Sequence, residues 1–479
     1  MLFQSPQFLV FFCCFFTVYW ALRRRTTLQN LLTLIGSYVF YGWWDWRLLG
    51  LIGLTSLFDF LTAIRIDTAS SNSVRRRWMQ ASLFFNLSIL GFFKYYNFFA
   101  AELQRLLNDL GVSQVDLRLN ILLPVGISFY TFQTLSYTVD VYHRRLPATR
   151  DPVVFFTYIA FFPQLVAGPI ERAEHLIPQF SRPRHFDYGS GVAAARLILW
   201  GFFKKLAVAD NCAPFVDHCF DPHNILSGWL LLAGSAAFAF QIYGDFSGYS
   251  DIARGTAGLL GIRLMKNFEF PYFSQSPAQF WRRWHISLGT WFRDYVYIPL
   301  GGARINKRRQ TLNTLVVFAL SGLWHGAAWT FVVWGLLNGL LVVSHRAGAE
   351  RDYGRTRSLL PSLAEASRIM LTFSVILPAW VFFRAETVEH AVRYLQTIAG
   401  DVIRHPGGIG PAFRWLVQRE IWLLPVIVLL FLEWLSYRRI AVFDSAPRLC
   451  RWALYLAVLS LVTWTAFCRP ASDFLYFQF

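Results

Sequence analysis

The chain has 479 residues, of which 55% are hydrophobic, 18% aromatic and only 15% charged. A soluble domain carries roughly a quarter charged residues, so this shortage of charge, together with 47 phenylalanines, excludes a soluble globular protein and points to lipid as the solvent. The net charge of +17 does not imply nucleic acid as a partner: Lys and Arg cluster in short stretches such as "VRRR" (74–77) and "RINKRR" (304–309), as cytoplasmic loops do, where they can also attract an anionic cytosolic donor.

Taken in chain order, the first apolar run is "FLVFFCCFFTVYWAL" (8–22). Arg23, Arg24 and Arg25 follow it and no basic residue precedes it. A cleaved secretory signal has the opposite order, and the positive-inside rule places these arginines in the cytoplasm and the N-terminus outside. Further candidate spans follow at 30–44, 48–64, 80–100, 121–142, 152–169, 192–209, 228–243, 312–344 (counted as two), 366–384, 420–436 and 451–468. These 13 candidate runs read as roughly a dozen spans, about 11–12 transmembrane helices plus broken and interfacial ones. Linkers are short and basic, and no repeat or low-complexity tract separates parts of the chain. The expectation is one all-α, polytopic membrane domain over 1–479.

Several runs do not read as plain helices. "ILLPVGISFYTFQTLSYTVDVY" carries Pro124 and Gly126, and "FFPQLVAGPIER" holds Pro163, Gly168 and Pro169. "FAFQIYGDFSGYSDIARG" (238–255) is expected to lose its helix at Gly244 and Gly248, placing Gln241, Asp245, Ser247 and Asp251 at or near membrane depth. Broken backbone survives in a bilayer only when it is buried in protein or lines a wet cavity. A polar chamber or tunnel is therefore expected. Between these runs, "DNCAPFVDHCFDPHN" (210–224) gathers Cys212, His218, Cys219 and His223. The spacings match no common zinc pattern, and the segment reads as a polar loop at the membrane surface, with no metal site.

"FWRRWHISLGTWFRDYVYIPLGG" (280–302) is the densest polar–aromatic stretch. Phe280, Trp284, Leu288, Trp291 and Tyr295 recur at helical steps and form one apolar face. It reads either as an amphipathic anchor lying in the interface, or as a re-entrant segment that brings His285, Arg282 and Arg283 to the chamber. Arginines at a cytoplasmic mouth suit a phosphate-bearing donor.

Residues 311–344 contain no Asp, Glu, Lys or Arg. One helix of that length would measure about 51 Å at 1.5 Å per residue, against a hydrocarbon core of about 30 Å. Both flanks are basic, so a hairpin or a helix broken near "SGLWHGAA" is expected, with His325 near its apex. Gly322 and Gly326 form a GxxxG pair, which is also what a close helix contact around a satisfied histidine would show. Intramembrane ionisable residues mark function by default, and imidazole is the side chain best suited to move a proton near neutral pH.

These stretches, with "QIYGDFSGYSDIARG", "SGLWHG" and the terminal "DFLYFQF", lie in the order found in the membrane-bound O-acyltransferase family, which the chain resembles. The resemblance is to the bacterial branch that acylates envelope polymers such as alginate and teichoic acid; Gly289, where that branch carries Ser, is a departure. It implies a ring of helices, some broken and some interfacial, around a central tunnel in the bacterial inner membrane. It implies transfer of an acetyl or other acyl group from a cytosolic thioester to a polysaccharide hydroxyl. By this resemblance His325 matches the essential histidine and His285 a supporting one, with Trp284, Arg282, Arg283, Gln241, Asp245, Ser247 and Trp324 as tunnel or substrate residues. His325 can serve as general base or carry the acyl group itself. No bound cofactor is implied. Acetyl-CoA, another acyl-CoA or an acyl-carrier protein is the donor, and a periplasmic acetyltransferase or subunits of a polymer-secretion complex are the partners, beside the bilayer. Alginate or a similar exopolysaccharide is the expected acceptor, with teichoic acid or peptidoglycan, and D-alanyl in place of acetyl, as alternatives. A transporter would show paired repeats and charges inside spans, and a scaffold subunit would survive loss of His325. A serine hydrolase would carry G-x-S-x-G, which "GDFSG" is not.

Overall fold

The computed structural model describes residues 1–111, 116–346, 358–419, 423–439, 447–468, 474 and 475. Regular structure among them is helical, with no strand. Contacts gather into two compact units: residues 1–198 with 252–265, and residues 199–251 with 266–479.

The first unit holds α1 (Pro6–Ala21), α2 (Thr26–Gly42), α3 (Leu49–Thr68), α4 (Asn72–Leu90), α5 (Tyr96–Asp109), α6 (Ile127–Tyr142), α7 (Pro152–Ala160), the single turn α8 (Phe162–Leu165), α9 (Ala173–Phe180) and most of α10 (Tyr188–Phe202). Ser5 starts α1 by accepting the Phe8 amide at 3.2 Å, with Pro6 in the first turn where its missing N–H costs nothing. Many phenylalanines pack ring against ring. Phe162 of α8 sits 5.4–5.5 Å from Phe11, Phe15 and Phe40. As expected from Pro124 and Gly126, α6 begins only at Ile127, with Gly126 at φ +76°. A Cβ there would approach the Leu165 carbonyl oxygen to 2.5 Å. Inside α3, the buried Asp59 carboxylate accepts hydrogen bonds from Ser82 at 2.5 Å and from Asn86 at 2.9 and 3.0 Å, both on α4.

The second unit holds a π-helical turn at Phe203–Ala209, α11 (Asp210–Phe220), most of α12 (Gly228–Leu259), α13 (Pro277–Arg283), α14 (Ile286–Phe292), α15 (Lys307–His325), α16 (Trp329–Arg346), α17 (Leu363–Arg384), α18 (Val388–Arg404), α19 (Ile409–Arg419), α20 (Leu423–Tyr437) and α21 (Arg448–Cys468). Three expectations are corrected here. Helix α12 runs unbroken through Gly244 and Gly248. These glycines are contact points: a Cβ on Gly244 would lie 2.7 Å from the Lys204 carbonyl oxygen, and one on Gly248 2.8 Å from that of Gly201. The segment read as a polar loop forms α11, with Cys212 and Cys219 buried on its inner side. Residues 280–302 are not one helix but α13 and α14, separated at Trp284 and His285.

Every candidate span contains a helix, but few are uninterrupted. Three described helices are long and apolar enough to cross a bilayer, Trp46–Thr68, Leu363–Arg384 and Arg448–Phe467, and a fourth is reached if the bent pair Pro406–Gln418 and Leu423–Tyr437 is one span. The others are cut by Pro, Gly or π turns, or carry buried polar groups. Gln241 and Asp245 of α12 are examples. Pro6–Ala21 and Trp329–His345 are apolar but shorter.

Candidate active site

The expected break near "SGLWHGAA" is present. Helix α15 ends at His325, residues 326–328 form the bend, and α16 returns alongside it. Gly326 is extended (φ −158°, ψ 151°) and its amide still reaches the Gly322 carbonyl. A side chain at Gly322 would run into the Phe331 carbonyl, and one at Gly326 into the Phe331 ring. The GxxxG pair thus serves the contact between the arms, and it fixes where His325 sits. His325 is 4% exposed. Its ring lies 5.0 Å from Trp324, 5.0 Å from Trp334 and 5.4 Å from Phe383 between centroids.

The second histidine comes from the break between α13 and α14. Trp284 is extended and His285 takes the left-handed conformation (φ 44°, ψ 54°), which costs a non-glycine residue about 1–2 kcal/mol. Asn267 holds that geometry. Its carbonyl accepts the Ile286 amide at 2.9 Å and its side-chain oxygen accepts the Ser287 amide at 3.3 Å, while the Arg283 carbonyl accepts the Glu269 amide at 3.0 Å. Strain retained by surrounding bonds is a mark of functional sites. His285 is 2% exposed. Its ring lies 4.6 Å from Phe246, 5.7 Å from Trp324 and 6.2 Å from His325. Two broken segments thereby place two imidazoles, 40 residues apart in the chain, side by side in an aromatic enclosure. Trp284 packs into the adjoining wall against Phe268 and Trp380, each 5.0 Å away.

Behind Phe246 lies a buried charge network. Asp245 accepts from Lys205 Nζ at 2.7 Å and from the Leu475 amide at 2.8 Å. Lys205 also pairs with Asp210 at 2.9 Å, Lys204 pairs with Asp251 at 2.5 Å, and the Tyr243 hydroxyl donates to Glu433 at 2.7 Å. The lysine–aspartate pairs let charges exist at depth because each lysine has a carboxylate neighbour. Lys204, Lys205, Glu433 and Asn267 were not singled out from the sequence. The double lysine inside the apolar run 192–209 was the available signal.

The remaining expected residues divide. Asp245 and Ser247 are buried on α12 beside Phe246, and Gln241 is buried one turn before. Gln241 Oε1 and Ser247 Oγ have no hydrogen-bond partner among the described residues, a condition that buried polar atoms resolve with water or ligand. Arg283 turns inward, its guanidinium 5.3 Å from the Tyr437 ring centre. Arg282 is exposed, so of the two it is the one a solvent-borne phosphate can reach. Gly289 is exposed, and a Cβ on it would meet nothing closer than the Trp281 carbonyl at 3.9 Å, so serine fits there.

Two buried histidines thus stand together on broken helices, and residues 34–347 match the membrane-bound O-acyltransferase family, to which the chain belongs. The relatives it is similar to act on envelope polymers by name. The probable alginate O-acetylase of Azotobacter vinelandii is 40% identical over 397 residues, covering 82% of this chain and 77% of the relative. The peptidoglycan O-acetyltransferase of Helicobacter pylori is 34% identical over 430 residues, covering 84% and 80%. The teichoic acid D-alanyltransferase of Bacillus subtilis is more distant, 25% identical over 288 residues, covering 57% and 71%.

Proposed function

We propose that this O-acyltransferase takes an acetyl group from a cytosolic thioester such as acetyl-CoA and moves it across the bacterial inner membrane, which it crosses several times, for O-acetylation of alginate or a similar exopolysaccharide. The observation that carries the site assignment is the 6.2 Å approach of His285 and His325 inside one aromatic enclosure. Identity of 40% to an alginate O-acetylase, against 25% to a D-alanyltransferase, supports acetyl over D-alanyl and an exopolysaccharide over teichoic acid. The Helicobacter pylori relative supports peptidoglycan as the second reading for the acceptor.

In the proposed step the acceptor hydroxyl oxygen attacks the thioester carbonyl carbon while His325 takes the hydroxyl proton. The carbon–sulfur bond breaks, and the imidazolium returns that proton to the departing thiolate. His285 acts beside it, holding the donor or acceptor in line. The aromatic walls exclude water that would otherwise hydrolyse the thioester. A periplasmic acetyltransferase or polymer-secretion subunits complete delivery to the polymer.

The test is ester-linked acetyl on envelope polymers in wild type, a deletion strain, and the deletion carrying His325→Ala at matched membrane abundance. Loss from one polymer that His325→Ala fails to restore supports the reading and names the acceptor. Full restoration by His325→Ala would make His325 a packing residue and end the proposed mechanism.

A further inference from the structure

The first unit carries a basic cavity of about 470 Å³ that the acyl-transfer chemistry does not use. It lies where three chain segments meet: Trp20 at the end of α1, residues 185–197 leading into and along α10, and residues 254–264 closing α12. Its basic lining is Arg254, Arg263 and the His185 imidazole, with Asp187 as the one acid.

Acceptors in and beside that lining make local hydrogen bonds, and its one carboxylate, Asp187, is outnumbered by two arginines. The Leu259 carbonyl takes the Trp20 indole N–H at 3.2 Å, and the Leu260 carbonyl takes the Tyr19 hydroxyl at 2.7 Å. The Ala257 carbonyl takes the Ile262 amide at 2.9 Å. The Asp187 carboxylate is committed to the start of α10, where it accepts the Ser190 amide at 2.7 Å. Arg263 is held in place through its backbone: the Gln179 carboxamide accepts its N–H at 2.8 Å and donates to its carbonyl at 3.0 Å. That fixes the root of an exposed guanidinium.

The rim is aromatic as well as basic. Phe186 is 51% exposed and Tyr188 79% exposed. Exposed Arg23, Arg24 and Arg25 follow directly after the apolar helix that carries Trp20. Trp and Tyr beside Arg at the end of an apolar helix mark the lipid–water boundary on the cytoplasmic side, and basic pockets between helices at that level bind anionic lipid headgroups.

We infer that this cavity binds the phosphodiester headgroup of an anionic phospholipid, with Arg254, Arg263 and His185 on the phosphate and the rim aromatics against the acyl chains. The site is separate from the histidine pair and does not rest on the acyl-transfer proposal.

The full chain is reconstituted in phosphatidylcholine nanodiscs containing a minor fraction of phosphatidylglycerol, and co-purifying lipid is counted after exchange. Wild type is expected to retain phosphatidylglycerol over phosphatidylcholine. Arg263→Glu is expected to reduce that preference about fivefold or more, the worth of one basic residue near a charged membrane surface. The double variant Arg254→Gln/Arg263→Gln is expected to abolish it. Arg263→Glu is the decisive variant, because its side chain is exposed and its backbone ties remain; unchanged thermal unfolding in pure phosphatidylcholine confirms its fold. Equal phosphatidylglycerol retention by wild type and Arg263→Glu overturns the inference. So does displacement of the lipid by inorganic phosphate at millimolar concentration, which would make the cavity a site for a soluble anion.

Discussion

Two buried polar assemblies in this protein look alike in the sequence and differ in the structure. In the first unit, Asp59 sits within the unbroken helix α3, and its carboxylate oxygens are met by Ser82 and Asn86 of α4. In the second unit, His285 and His325 sit where helices break, one on left-handed backbone, and both are enclosed by aromatic rings. An ionisable side chain at membrane depth suggests function by default. The comparison refines that rule. Regular backbone around a hydrogen-bonded carboxylate joins helices. Interrupted and strained backbone around imidazoles marks the site proposed for the reaction.

The largest effect that would sharpen this contrast is at His325. His325→Ala is expected to lower acetyl transfer about 10²–10⁴-fold, the range for loss of a general base, with membrane abundance unchanged; a drop under tenfold in a radiolabel transfer assay would erase the distinction. His285→Asn comes next. Asparagine accepts left-handed backbone but cannot relay a proton as imidazole does, so activity is expected to fall about 10²-fold while the thermal midpoint in detergent stays at the wild-type value. Asp59→Leu should behave in the opposite way. It leaves Ser82 and Asn86 without their acceptor, at a stability cost of about 1–3 kcal/mol, seen as a lower unfolding midpoint with transfer per folded molecule within twofold of wild type. Gly289→Ser should change neither stability nor transfer, since surface substitutions stay within about 0.5 kcal/mol.

The smallest expected effect is a pH dependence outside the spans. The hydrogen bond that the His175 ring donates to the Glu171 carboxylate, at 2.8 Å, raises the half-exposed His175 above its ordinary value of 6.5. A raised histidine contributes stability fully below pH 6.5 and loses it as pH climbs through its folded value. Solvent screening keeps the contribution small. The unfolding midpoints of wild type and His175→Ala should therefore differ most below pH 6.5 and converge above the His175 value; a gap that widens with pH contradicts the assignment.

Much of this was legible in the chain. The absence of charge over 311–344 against the bilayer thickness was enough to place a bend, and the bend falls at 326–328 beside His325. Pro124 and Gly126 marked the run 121–142 as no plain helix, and α6 begins only at Ile127. What stayed hidden depends on partners distant in the chain. Gly244 and Gly248 read as breakers because a glycine's role as a contact point is visible only once residues 201–209 lie against it. The break at Trp284–His285 was masked because Phe280, Trp284, Leu288 and Trp291 keep helical spacing and are all buried, although they fall on two short helices and the break between them. Lys205 sat unnoticed in an apolar run because its acids, Asp210 and Asp245, become neighbours only on folding. Asn267, which clamps the His285 backbone, carries no signal in its local sequence.

The hairpin of α15 and α16 also bears on biogenesis. Its arms, of 19 and 18 residues, are joined by three residues. The two arms therefore emerge from the ribosome one directly after the other, and the bare faces of Gly322 and Gly326 allow them to close before α17 emerges. His325 then enters the bilayer already covered by Trp324 and Trp334, and Phe383 arrives afterwards as the last wall of its enclosure. A ribosome-stalled chain long enough for residue 346 to have cleared the exit tunnel, with α17 still inside it, should already protect a cysteine placed in the arms from aqueous labelling.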